Sequence, residues 1–121
     1  GDIVTLRGEL GAGKTTLVKG MAAGLRVKED VTSPTFTLMN VYKVHSPKSI
    51  VRSLIHIDTY RLKNEQELID IGVEDYLRDP ETVCVIEWPE KIPTLLKGKK
   101  VITISLSHHG DQERRIVIRN S

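Results

Sequence analysis

Gly8-Glu9-Leu10-Gly11-Ala12-Gly13-Lys14-Thr15, or GELGAGKT, is the stretch that decides the fold. It matches G-x-x-x-x-G-K-[ST], a phosphate-binding loop, a pattern that chance produces in a chain this short with odds on the order of a few per thousand. The flanks agree with it. Residues 3–6 form an apolar, β-rich run before the loop, and after it Leu17, Val18, Met21, Ala22 and Leu25 fall on one helical face. Gly8, Gly11 and Gly13 permit backbone conformations that turn successive N–H groups inward. Those groups and the positive end of the following helix suit an anion. Lys14 has the reach for a β- or γ-phosphate, and the Thr15 hydroxyl suits Mg²⁺. The bland alternative is a glycine-rich turn with an ordinary helix-start lysine.

Length and composition narrow the rest. The 121 residues fit a single domain, 1–121. Gly1 opens the chain only a few residues before the first strand, so an N-terminal segment with base contacts is expected to be lacking. The net charge of +2 is too mild to argue for nucleic-acid binding by charge, and DNA is not expected. Cys84 is the sole cysteine, so no intramolecular disulfide forms and a reducing cytoplasm fits. No apolar run approaches bilayer length and no signal peptide is visible, so no membrane partner is expected.

In order along the chain, residues 2–7 read as a buried central strand and 14–25 as the helix after it, which Gly24 could help to end. Pro34 holds Ser33 extended. Residues 36–44 and 54–60 alternate loosely around a polar loop and read as an antiparallel hairpin. Asn64 reads as a helix N-cap with Glu67 at the capping-box position. The stripe Leu68, Ile69, Val73, Tyr76, Leu77 continues it, split by Gly72 and stopped by Asp79-Pro80. Residues 83–86 form a second buried strand. Pro89 starts a short helix reaching Leu96. The KGKK of 97–100 reads as an exposed turn. Residues 101–107 and 114–119 alternate around a turn, as a closing hairpin. The expected class is α/β: a three-layer domain of the P-loop NTPase kind with a mixed, partly antiparallel central sheet.

A phosphate loop indicates a nucleotide, not a reaction. Phosphoryl transfer also needs a metal, charge neutralisation and a positioned nucleophile. Glu87 ends the run VCVI, where a second acidic ligand is wanted, and could hold Mg²⁺ or orient water. Aspartate is common there, so the longer glutamate is a departure. Alternation puts His56, Asp58 and Tyr60 on one strand face, and Asp58 could serve as outer-shell ligand, base or docking point. Thr35 in SPTF could sense a γ-phosphate, although a proline turn into a strand explains it as well. Trp88, the only tryptophan, stacks near the site or plugs the core edge. His108 and His109 lack a spaced partner and make a poor metal site. Lys97, Lys99, Lys100, Arg114 and Arg115 read as a solvated surface rather than an RNA site.

Taken together, GELGAGKTT, VTSPTF, HIDTYRL, ELIDIGVEDYL and VIEWPE resemble, in this order, the bacterial TsaE family, over residues 1 to about 89. The resemblance implies a P-loop ATPase domain that binds ATP with Mg²⁺, hydrolyses it weakly alone and partners TsaB and TsaD. It ties the chain to threonylcarbamoyladenosine modification of tRNA, with RNA met only indirectly. Glu9, Gly11, Ala12, Gly13, Lys14, Thr15 and Thr16 then match the phosphate site, with Thr35 and Trp88 as further nucleotide contacts. Thr15 and Glu87 match the metal site, and Lys14, Asp58 and Glu87 the catalytic set. Two other functions stay open: a nucleotide-gated binding module with negligible turnover, and a small-molecule kinase, for which no lid segment is evident. A guanine-specific reading is weak without N-K-x-D.

Overall fold

The computed structural model describes residues 1–9, 13–34, 37–110 and 113–120. Its strands are β1 (Asp2–Gly8), β2 (Met39–Lys43), β3 (Ser53–Asp58), β4 (Thr82–Glu87), β5 (Ile102–His109) and β6 (Glu113–Asn120). Its helices are α1 (Lys14–Gly24), α2 (Gln66–Asp70), α3 (Val73–Arg78) and α4 (Pro93–Leu96), with a 3-10 turn at Pro89–Lys91. One sheet runs β2-β3-β4-β1-β5-β6. The inner strands β3, β4, β1 and β5 are parallel. The outer strands β2 and β6 are antiparallel to their neighbours.

Helices cover both faces, as a sheet apolar on both sides requires. On one face, Val18 and Ala22 of α1 pack with Val4, Leu6, Leu54 and Val85. On the other, Leu68, Val73, Leu77 and Leu95 from α2, α3 and α4 pack with Ile3, Ile55, Ile57, Cys84 and Ile86. Buried Thr5 satisfies its hydroxyl on Thr103 across β1 and β5, at 3.0 Å. The outcome is the expected three-layer α/β arrangement with a mixed sheet.

Several boundaries differ from the sequence expectation for identifiable reasons. α1 stops at Gly24 rather than residue 25, and Arg26, not Gly24, takes the left-handed conformation at φ 58°. Arg26 N–H donates to the Ala23 carbonyl and Val27 N–H to that of Ala22, which closes the helix. β2 starts at Met39, because Leu38 turns at φ 66°. Phe36, expected at the start of that strand, lies outside the described residues. β3 ends at Asp58, so Tyr60 leaves the strand that was expected to carry it. Asn64 Oδ1 does accept from Glu67 N–H, but Glu67 Oε1 reaches back to Lys63 N–H, one residue earlier than a capping box would have it. Gly72 splits α2 from α3 at φ 88°, as expected. The single helix expected over 89–96 is broken at Ile92 (φ −130°), since a residue before proline avoids the helical region. β5 continues through His108 and His109, which pair with Arg114 and Glu113 rather than forming the turn.

Candidate functional site

Because β1, β3 and β4 are parallel, their carboxyl ends meet at one edge, where open α/β sheets form their crevices. The loop 8–15 leaves β1 there, Asp58 ends β3 and Glu87 ends β4. The register sets Glu87 beside Leu6 on one side and beside Asp58 on the other. A cavity of about 450 Å³ opens at this edge. Gly13, Lys14, Thr15, Thr16, Asp58, Glu87 and Trp88 line it, so seven of the residues expected from sequence are brought together. Ser33 of the SPTF segment, Tyr60 of the HIDTYR segment and Arg61 line it too. Glu9 is exposed and not among the lining residues. Gly11, Ala12 and Thr35 lie outside the described residues.

The loop ends in backbone that only glycine adopts without strain: Gly8 has φ 154° and Gly13 φ 100°. Gly13 opens α1 and accepts from Leu17 N–H at 3.0 Å, and no side chain caps the helix. The N-terminal amides of α1 are thus left to face an anion.

Lys14 is only 6% exposed, unusual for a lysine. Its Nζ donates to the Gly8 carbonyl at 2.8 Å and stands 3.9 Å from the centre of the Trp88 ring. The cation is therefore held between a carbonyl dipole and a π face. Trp88 reaches it from a left-handed backbone, φ 59°. That conformation is fixed from two sides: Lys91 N–H and the Thr59 hydroxyl both donate to the Trp88 carbonyl. Tyr60 packs against Trp88 with ring centres 5.1 Å apart, and Lys91 Nζ donates to the Tyr60 carbonyl.

The two carboxylates are held differently. Asp58 Oδ1 accepts from Tyr60 N–H at 2.9 Å, a local turn that explains why β3 stops, and Oδ2 is 3.5 Å from Ser33 Oγ. Glu87 Oε2 lies 2.6 Å from His56 Nε2. His56 is fully buried. Strand alternation puts it on the face of Asp58, but its partner is on another strand, so its own segment carries no signal of this contact.

Thr15 and Glu87 share the cavity wall and offer the hard oxygen donors that Mg²⁺ takes. Among the described residues no group of three or more His, Cys, Asp or Glu could hold a metal by itself. A magnesium ion here would thus need further oxygens from water or phosphate, as is usual for it. No helix among the described residues is long and apolar enough to cross a membrane.

Comparison with known proteins places this geometry. A family model described as "Threonylcarbamoyl adenosine biosynthesis protein TsaE" matches residues 1–116. The tRNA threonylcarbamoyladenosine biosynthesis protein TsaE of Treponema pallidum is 42% identical over 118 residues, covering 98% of this chain and 82% of that one. Its Bacillus subtilis counterpart is 40% identical over 116 residues, covering 96% of this chain and 68% of that one. The crystal structure of Bacillus subtilis YdiB superposes with a TM-score of 0.74 at 33% identity, over 97% of this chain and 66% of that chain. That likeness, with the loop 8–15 between β1 and α1, makes the fold P-loop NTPase-like. From the loop to the strand ends that face it, and across nearly its full length, the chain belongs to the TsaE family of tRNA threonylcarbamoyladenosine biosynthesis proteins.

Proposed function

We propose that this chain binds ATP with Mg²⁺ in the cavity and hydrolyses it to ADP and phosphate, weakly alone and faster with a partner. The hydrolysis cycle would reset or release TsaB and TsaD as they modify tRNA in the cytoplasm. The observation that carries the reading is the buried Lys14, facing the same cavity as Asp58 and Glu87 beside an uncapped helix start.

The amides from Gly11 to Thr15, with Lys14, stabilise charge on the β,γ-bridge and the leaving phosphate. Thr16, Thr35 and Trp88 border the nucleotide. The Thr15 hydroxyl and the Glu87 carboxylate hold the cation. When bound, Mg²⁺ neutralises phosphate charge that the protein alone leaves uncompensated. Asp58 or Glu87 orients the attacking water in line, or the partner supplies a group that does.

Single-turnover hydrolysis with and without TsaB and TsaD, beside ATP titration, tests this. Asp58→Ala and Glu87→Ala should bind ATP within a few fold of the unsubstituted protein and lose about 100-fold or more in rate. Turnover equal to the unsubstituted protein in both variants refutes those roles. Tight binding with no turnover, even with the partners present, favours the nucleotide-gated module instead.

A further inference from the structure

His56 lies on β3 two residues before Asp58, with its ring at 0% exposure. Its chain neighbours Leu54, Ile55 and Ile57 are buried and apolar. An imidazole in such a place is costly to desolvate unless it is hydrogen-bonded. Nε2 stands 2.6 Å from Glu87 Oε2. A carboxylate in its ionised form only accepts, and against it the matching tautomer is the one with the hydrogen on Nε2. The other ring nitrogen, Nδ1, is buried and has no hydrogen-bond partner among the described residues. The ring's polar engagement is therefore with Glu87. A histidine kept for packing alone would be better replaced by an apolar side chain of its size.

Glu87 lines the cavity, whereas His56 does not. A glutamate has one more rotatable bond than an aspartate, and a carboxylate that must meet an ion or a water has to be held still. The hydrogen bond from His56 removes that freedom from behind.

We propose that His56 is the positioning residue for Glu87. Its Nε2–H fixes Oε2 at the rear of the cavity and turns Oε1 towards the ion or water. This rests on the reading of Glu87 as the group that handles them. His56 itself touches neither nucleotide nor ion.

The test combines two measurements on the full chain. The first is the ¹⁵N pattern of the His56 ring in nucleotide-free protein. The hydrogen should sit on Nε2, and its hydrogen-bonded proton signal should vanish in Glu87→Ala. The second is nucleotide affinity set against single-turnover rate. His56→Leu should bind ATP within about threefold of the unsubstituted protein and turn over about 10- to 100-fold more slowly. His56→Gln, whose amide nitrogen comes close to the place of Nε2, should recover most of the rate. A purely structural role would lower thermal midpoint and affinity together, and the glutamine would restore stability without a specific gain in rate.

A ring with its hydrogen on Nδ1 overturns the proposal, as does an unchanged rate in His56→Leu. If His56→Leu does not fold, a dead but ATP-binding His56→Gln overturns it instead. Normal turnover by Glu87→Ala is a separate result: it sinks the reading of the site, whatever His56 does.

Discussion

Cys84 sits inside β4 with its Sγ 3.7 Å from the Tyr76 carbonyl oxygen. Burial pushes its thiol from the ordinary 9.0 up to about 11, against a smaller downward pull from hydrogen bonding with Thr82. The folded chain thus holds this proton more tightly than the unfolded one. Stability from this source is intact below pH 9 and falls as pH rises towards 11, because the unfolded thiol ionises first. Urea unfolding at pH 8 and pH 10.5 should show a loss that is smaller in Cys84→Ala. That variant is weaker at every pH from its cavity, so the slope is the readout. Equal slopes would remove the claim. The same strand marks how far single residues could be read from the chain. Lys14 and Glu87 were legible, one from its motif and one as the polar end of an apolar run. His56 was not, because its bond to Glu87 spans 31 residues and depends on strand register. Trp88 was visible as an aromatic near the site, but its turn back over Lys14 needs a left-handed backbone that no residue type announces.

Two glycines show how an element's local backbone decides the sign of one substitution. Gly20 lies inside α1, and a Cβ there would meet nothing within 4 Å. Gly20→Ala should stabilise by about 0.5–1 kcal/mol, since alanine loses less entropy in a helix. Gly72 has equal space but a φ of 88°, and it opens α3. Gly72→Ala should destabilise by about 1–2 kcal/mol through strain alone. Urea midpoints moving in the same direction for both would break this account. Gly72 could be placed from sequence because it interrupts an apolar stripe. The close of α1 could not, since an arginine there carries no signal for the left-handed turn it makes. The break at Ile92 could be read from Pro93, although one continuous helix was expected across it.

At the scale of the molecule, strand, loop and helix in succession already call for parallel pairing around β1. The order of six strands does not follow from that, because nothing in a strand's own residues names its neighbour. Once β4 and β3 lie beside β1 in parallel, their ends converge on the loop, and a ligand seated there bridges three strands at once. Such a ligand binds the folded chain and not the unfolded one. At 100 times its Kd it should add about 2.7 kcal/mol, which for a chain of this size raises the Tm by about 10 °C. ADP with magnesium is the probe to use, since it is not consumed during a melt. Lys14→Ala removes the buried cation and its bond to Gly8, so its melting point without nucleotide will differ for structural reasons. The decisive quantity is the rise that ADP produces in each protein. It should be large in the unsubstituted chain and close to zero in Lys14→Ala. An equal rise in both would mean that ADP binds elsewhere on the chain, and the cavity between β1, β3 and β4 would lose its claim to the nucleotide.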